Sequence, residues 1–182
     1  MVIEARERGD AQARLDAVWE ALAEVPDPEI PAVSVLDLGI IHSVEFTGER
    51  DERLHVAIMP TFVGCPAVDA MRAAIEERLA PHATGGVDVS VTFEEPWTSD
   101  RISAEGRRKL TESGFAPPAM RAPAAVGTQL LQMLPSFDLP VAECPYCGSR
   151  RTTLENAFGP TLCRSIYHCA ECRQPFEQFK TV

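Results

Sequence analysis

Two C-x-x-C pairs near one end constrain this chain most. They are Cys144-Pro145-Tyr146-Cys147 and Cys169-Ala170-Glu171-Cys172, with 21 residues between them. Five of the six cysteines fall in the last 39 residues. Each pair presents two thiolates to one ion, and two pairs complete a tetrahedron. A tail this short cannot bury an adequate core, so a bound metal is expected to be its main source of stability.

Between the pairs, residues 151–158 and 164–168 have strand-like composition, and 175–180 can add a third strand. This is the pattern of a zinc ribbon. The gap is slightly longer than the usual spacing, as a longer hairpin would make it. Structural zinc held by Cys144, Cys147, Cys169 and Cys172 is the expectation; an iron–sulfur cluster or a redox dithiol are the alternatives. A closed four-thiolate site leaves no open position for Lewis-acid chemistry. Cys163 finds no vacancy in it. It is either a small buried hydrophobe or an auxiliary thiol near the site, suited to ligand exchange. His168 reads as a strand surface residue.

The chain of 182 residues, 45% hydrophobic, suits one ordinary domain plus a small module. Its net charge of −10 is uneven: residues 144–182 carry +2 and the rest −12. Neither part offers the basic surface that phosphate backbones need, so nucleic acid is not an expected partner. No apolar run is long enough to span a membrane. The first ten residues are charged and lack an apolar signal region, so a cytoplasmic protein is expected. In a reducing compartment, clustered cysteines read as metal ligands or reactive thiols.

The fold class expected is α/β: a small two-layer α+β domain with helices on one sheet face, followed by the β-rich ribbon. Leu15, Val18, Trp19, Leu22 and Val25 give residues 10–25 a helical stripe, with Asp10 as N-cap and Pro26 as the stop. After the proline-punctuated loop 27–31, residues 34–38 can make one helical turn ending at Gly39. Residues 40–47 and 54–59 read as strands joined by a charged hairpin. A helix at 66–80, with Val68, Met71, Ile75 and Leu79 inward, and a third strand at 87–93 follow. Ser99 can cap a helical segment near 100–112. The domain boundaries expected are 10–115, a Pro/Ala-rich linker at 116–143 with an ordered piece at 128–134, and 144–182.

Cys65 is the reactive candidate. Pro66 favours the first turn of a helix, which puts the thiol among unpaired N–H groups. There the dipole stabilises a thiolate and lowers its pKa. Gly64 permits a sharp turn, and Thr61 can hydrogen-bond within the loop. From position alone a buried, inert cysteine is the favoured reading, since free cysteines are usually buried. No phosphate-binding glycine loop, Ser-His-Asp arrangement or paired-His metal motif is present.

Three segments, Asp27-Pro28-Glu29-Ile30-Pro31, then Val35-Leu36-Asp37-Leu38-Gly39-Ile40-Ile41, then Thr61-x-x-x-Cys65-Pro66, together resemble the SufT-like metal–sulfur cluster assembly domain. The resemblance implies that Cys65 is a reactive residue in iron–sulfur maturation, with Asp37 and Thr61 beside it as iron- or cluster-handling candidates. Pro96-Trp97-Thr98-Ser99-Asp100-Arg101-Ile102-Ser103, the segment 158–163 and the second knuckle extend it. Over nearly the whole chain the sequence resembles the PaaD (PaaJ) family of phenylacetate degradation. That resemblance implies a non-catalytic accessory protein of the multicomponent phenylacetyl-CoA ring epoxidase. Its implied partners are the di-iron oxygenase subunits, the flavin/[2Fe–2S] reductase or the iron–sulfur assembly machinery. Its implied cofactors are structural zinc and transient iron or an iron–sulfur cluster. The alternative is a structural adaptor subunit of the same complex. The chain does not carry the two helical Glu-x-x-His motifs that a di-iron site uses; its single Glu-x-x-His, Glu52 to His55, runs into a strand-like segment.

Overall fold

The structure is a computed structural model. It describes residues 2–48, 52–62, 64–119 and 141–180, with side chains from residue 10 onward. Most of the expected linker, and its expected ordered piece at 128–134, lie outside the described residues. The chain divides into two compact units: Met1–Trp97 with Arg101–Gly106, and Thr98–Asp100 with Arg107–Val182.

In the first unit the order is α1 (Val2–Ala23), β1 (Ile41–Thr47), β2 (Arg53–Ile58), α2 (Val68–Leu79) and β3 (Val87–Val91). Helix α1 starts eight residues before the expected cap, so Asp10 is a helix-interior residue. Glu4, Ala5, Arg6, Glu7 and Arg8 are good helix formers and let the helix continue through it. Val18, Ala21 and Leu22 are buried, but Trp19 is 39% exposed and lies outside the core. Strand β1 pairs antiparallel with β2, and β2 pairs parallel with β3 through α2 as the crossover. One face of the sheet carries Ile41, Val44, Phe46, Leu54, Val56, Ile58 and Val89. Met71, Ile75 and Leu79 of α2 are buried with them. Arg14 of α1 lays its guanidinium over the Phe46 ring at 4.0 Å. Each fully buried aliphatic side chain contributes roughly 1.5–3 kcal/mol, so this layer holds the unit together. The opposite face is mostly polar: Glu45, His55 and Asp88 align, as do Ser43 and Ser90 on either side of buried Ala57. His55 Nε2 lies 3.1 Å from Ser90 Oγ and 3.9 Å from Asp88. Both partners sit on one ring nitrogen, which is not the relay of a Ser-His-Asp triad.

Helix α3 (Ala104–Glu112) follows. Its cap is Ser103, whose Oγ accepts the Gly106 N–H at 2.8 Å, rather than the expected Ser99. Ser99 instead opens a short 3-10 turn and is fully buried.

The second unit contains a four-stranded sheet in the order β4 (Phe115–Ala116), β7 (Pro175–Phe179), β6 (Arg164–Cys169), β5 (Thr152–Asn156). Strand β4 runs parallel to β7, so Phe115 and Ala116, placed at the end of the first domain and the start of the linker from the sequence, belong to the ribbon's sheet. The core here is small: Ala116, Ala142, Cys144, Tyr167, Cys169 and Phe176, with Leu154 and Cys172 against it. Tyr167 and Phe176 stack at 5.7 Å. On the other face, buried Arg164 pairs with Glu177 at 2.9 Å and lies over Phe115.

Candidate functional site

The turn from Ser34 to Gly39 is closed at both ends by its own residues. Ser34 Oγ accepts the Asp37 N–H at 3.1 Å, and the Asp37 carboxylate accepts the Ser34 N–H at 2.9 Å, a reciprocal capping box. Gly39, at φ +63°, ends the turn in the left-handed region. There the Ile40 N–H reaches Val35 O and the Gly39 N–H reaches Leu36 O, both at 3.0 Å. The remaining Leu38 carbonyl accepts the Trp97 indole N–H at 2.9 Å. Asp37 is 8% exposed, and its second oxygen lies 3.5 Å from the Ser103 hydroxyl. Its visible work is therefore to build the turn. The segment from Arg101 packs so closely on the turn that a Cβ on Gly39 would overlap Arg101 O.

The motif 27–31 forms a second tight element. The Asp27 N–H bonds Val33 O at 2.8 Å and the Val35 N–H bonds Val25 O at 3.0 Å. Asp27 Oδ1 accepts the N–H groups of Glu29 and Ile30 at 2.9 and 2.8 Å, pinning the loop.

Cys65 sits in the loop that leaves β2. Its N–H bonds Phe62 O at 3.2 Å, and the Val68 N–H bonds Cys65 O at 3.3 Å. Helix α2 begins at Val68 with Ala67 at the cap, so Pro66 lies just outside the first turn where the sequence placed it. The N–H groups of Ala67 and Val68 still reach the sulfur and favour a thiolate. They do not prevail. Burial first, and then the carboxylates of Glu29 and Asp27, push the Cys65 thiol above its ordinary range. The lowered pKa expected from the helix terminus is overturned, because burial outweighs the N–H groups and the sequence-distant 27–31 loop adds negative charge. Thr61 is buried in this loop. Gly64 takes φ +79° with open space where a Cβ would stand, so its role is conformational.

In the second unit the four Sγ atoms of Cys144, Cys147, Cys169 and Cys172 lie within 4.8 Å of one another. The pairs 144–172 and 147–169 are 3.6 Å apart. A tetrahedron with Zn–S bonds of about 2.3 Å has edges of about 3.8 Å, so the quartet fits zinc. The two knuckles match each other bond for bond. The Gly148 N–H returns to Cys144 O and the Arg173 N–H to Cys169 O, both at 2.9 Å. Both residues adopt positive φ, +70° and +60°. Hydrogen bonds from the Cys172 N–H and the neighbouring thiols bring Cys169 down to about 7. Cys172 is pushed up to about 12 by burial and the other three thiols, against the Gln174 N–H. The cluster thus cannot ionise fully without a cation to balance it.

Over 172 residues the chain is 34% identical to a protein of Escherichia coli (strain K12) that is provisionally named as a component of the 1,2-phenylacetyl-CoA epoxidase. The match spans 94% of this chain and 96% of that protein. The chain belongs to this PaaD family. Within the family's layout, residues 135–180 match the PaaD zinc beta ribbon domain, and residues 15–93 match the iron-sulfur cluster assembly protein family. A second relative, an Fe-S protein maturation auxiliary factor of Porphyromonas gingivalis, is 35% identical over 95 residues, covering 52% of this chain and 85% of that one. A solved domain of unknown function, DUF59 from Bacillus anthracis, is similar with a TM-score of 0.49 and 24% identity, over 54% of this chain and 92% of that chain.

This PaaD-family chain holds structural zinc through its ribbon, and Cys163 is not near it. Cys163 precedes β6 while Cys169 ends it, six residues or about 20 Å further along the strand. Ligand exchange from Cys163 is out of reach. Cys163 is 9% exposed and sits 3.1 Å from Thr161 Oγ1. His42 occupies a β-bulge between Ile41 and Ser43 at the start of β1. Sequence reasoning missed Asp27 and Glu29 as Cys65's electrostatic neighbours, although the 27–31 motif itself was the available signal.

Proposed function

We propose that this protein is an accessory maturation factor of the phenylacetyl-CoA epoxidase system, handling iron or an iron–sulfur cluster as cargo at Cys65. The observation that carries the reading is the setting of Cys65: a half-buried thiol bonded by two N–H groups and faced by two carboxylates, inside a domain matched by an iron-sulfur assembly family. Such a thiol keeps its proton until a cation arrives. A metal then displaces the proton and relieves the carboxylate repulsion, so binding and release are coupled to what is present. Asp37 builds the Ser34–Gly39 turn, and Thr61 is buried in the loop that carries this thiol. Cys144, Cys147, Cys169 and Cys172 ligate a permanent zinc that orders the ribbon and plays no part in the transfer. The protein is itself non-catalytic. It works in the reducing cytoplasm, where the thiols of Cys65 and Cys163 stay reduced. No helix among the described residues is long and apolar enough to cross a membrane.

Cys65→Ala should leave zinc content and the fold intact. It should lower iron or [2Fe–2S] occupancy severalfold in the oxygenase or reductase produced in the same cells, read by metal analysis and absorption spectra. Full occupancy would sink the reading. The second reading, a structural adaptor of the epoxidase, is favoured by the closed four-thiolate cluster. It requires Cys65 to be dispensable and ribbon cysteines indispensable.

A further inference from the structure

We infer that the end of the sheet bearing Cys65 is also a docking surface for a protein segment that carries Lys or Arg beside an apolar side chain. The inference rests on the cargo reading, because a cargo changes hands only where donor and acceptor atoms meet.

Strands β2 and β3 are parallel neighbours, so the chain leaves both at the same end. Beyond β2 it runs through Met59 to Cys65. Beyond β3 it runs through Thr92, whose N–H bonds Ile58 O at 2.9 Å, into Phe93, Glu94, Glu95 and Pro96. All four are exposed, Phe93 by 61%. The prong they form is pinned on both sides. The Glu94 N–H bonds Thr92 Oγ1 at 3.3 Å, and buried Trp97 anchors to Leu38 O. An aromatic ring is therefore held in water by a short anchored loop, ready to contact a partner with little ordering cost.

The charge of this end selects the partner. Glu94 and Glu95 directly follow Phe93 in the chain, and Glu29 and Asp27 act on the thiol. Neither residues 59–67 nor residues 92–97 contain a Lys or Arg. Arg101, also at this end, is turned onto the carbonyls of Gly39 and Ile41. Complementary positive charge on the partner raises the encounter rate and fixes its orientation. The open space beside Gly64 leaves the Cys65 loop approachable.

The test immobilises the full-length zinc-loaded protein and passes over it the purified oxygenase and reductase components of the epoxidase. Phe93→Ala should weaken binding about tenfold. The double change Glu94→Lys with Glu95→Lys should weaken it at least as much and flatten its salt dependence. Zinc content and melting temperature should not move, because these side chains are exposed. Wild-type affinity and salt response in both variants would overturn the inference, as would no binding by the wild type at low salt. Cys65→Ala should bind like the wild type. If that variant also left iron occupancy intact, the cargo reading would fail while the binding result stood.

Discussion

The two units reach stability by opposite routes. The first buries a continuous apolar layer, with Val18, Leu22, Leu54, Val56, Ile58, Ile75 and Leu79 all fully enclosed. Among its described residues the second packs a cluster of six buried residues, two of them zinc-cluster cysteines. Packing in the first unit draws on residues far apart in the chain, from α1 to β3. The ribbon draws on two four-residue knuckles that repeat the same turn. The lesson is that a metal replaces a core where the chain is too short to build one. Cys65, by contrast, sits where a real core can hold loops against each other.

Removing the zinc should break this contrast most sharply. A strong chelator, or Cys169→Ser, should unfold the ribbon while β1–β3 keep their amide-exchange protection. Structural zinc binding is worth roughly 10–16 kcal/mol in small modules. Loss of both units together would mean the first unit borrows stability from the ribbon.

The reverse break is Gly39→Ala. It places a Cβ on a residue at φ +63° and into Arg101 O, so it should cost about 2–5 kcal/mol. Denaturant midpoints should show the loss in the first unit with zinc content unchanged.

A smaller change sharpens the ribbon side. Arg173 is the one non-glycine residue with positive φ among those described, at the position Gly148 holds in the other knuckle. Arg173→Gly should stabilise the ribbon by about 1 kcal/mol and slow zinc loss to a chelator. Gly148→Ala should do the opposite.

The smallest effect concerns reactivity. Glu29 raises the Cys65 pKa, so Glu29→Gln should lower it and increase the thiolate fraction at a given pH. The midpoint of the iodoacetamide pH–rate profile should move down, with alkylation near pH 8 severalfold faster. An unmoved midpoint would remove Glu29 from the site.

Much of this was legible from residue order. The α2 stripe of Met71, Ile75 and Leu79, the helical turn ending at Gly39 and the two knuckles depend on local spacing, which a sequence displays directly. Other features depended on partners far along the chain. The two residues of β4 carry no strand signal of their own and exist because β7 offers an edge. Asp10 looked like a cap because capping chemistry is local, but favourable residues upstream carried the helix past it.

The sequence alone determined the zinc ligands, the class of each unit and the family, since those rest on short spacings and shared motifs. Only the tertiary structure decided the state of Cys65 and the place of Cys163. A thiol's proton affinity depends on charges and burial summed over space, and the carboxylates concerned stand 36 and 38 residues away in the chain. Cys163 is six residues from a ligand, yet an extended strand turns that small number into about 20 Å.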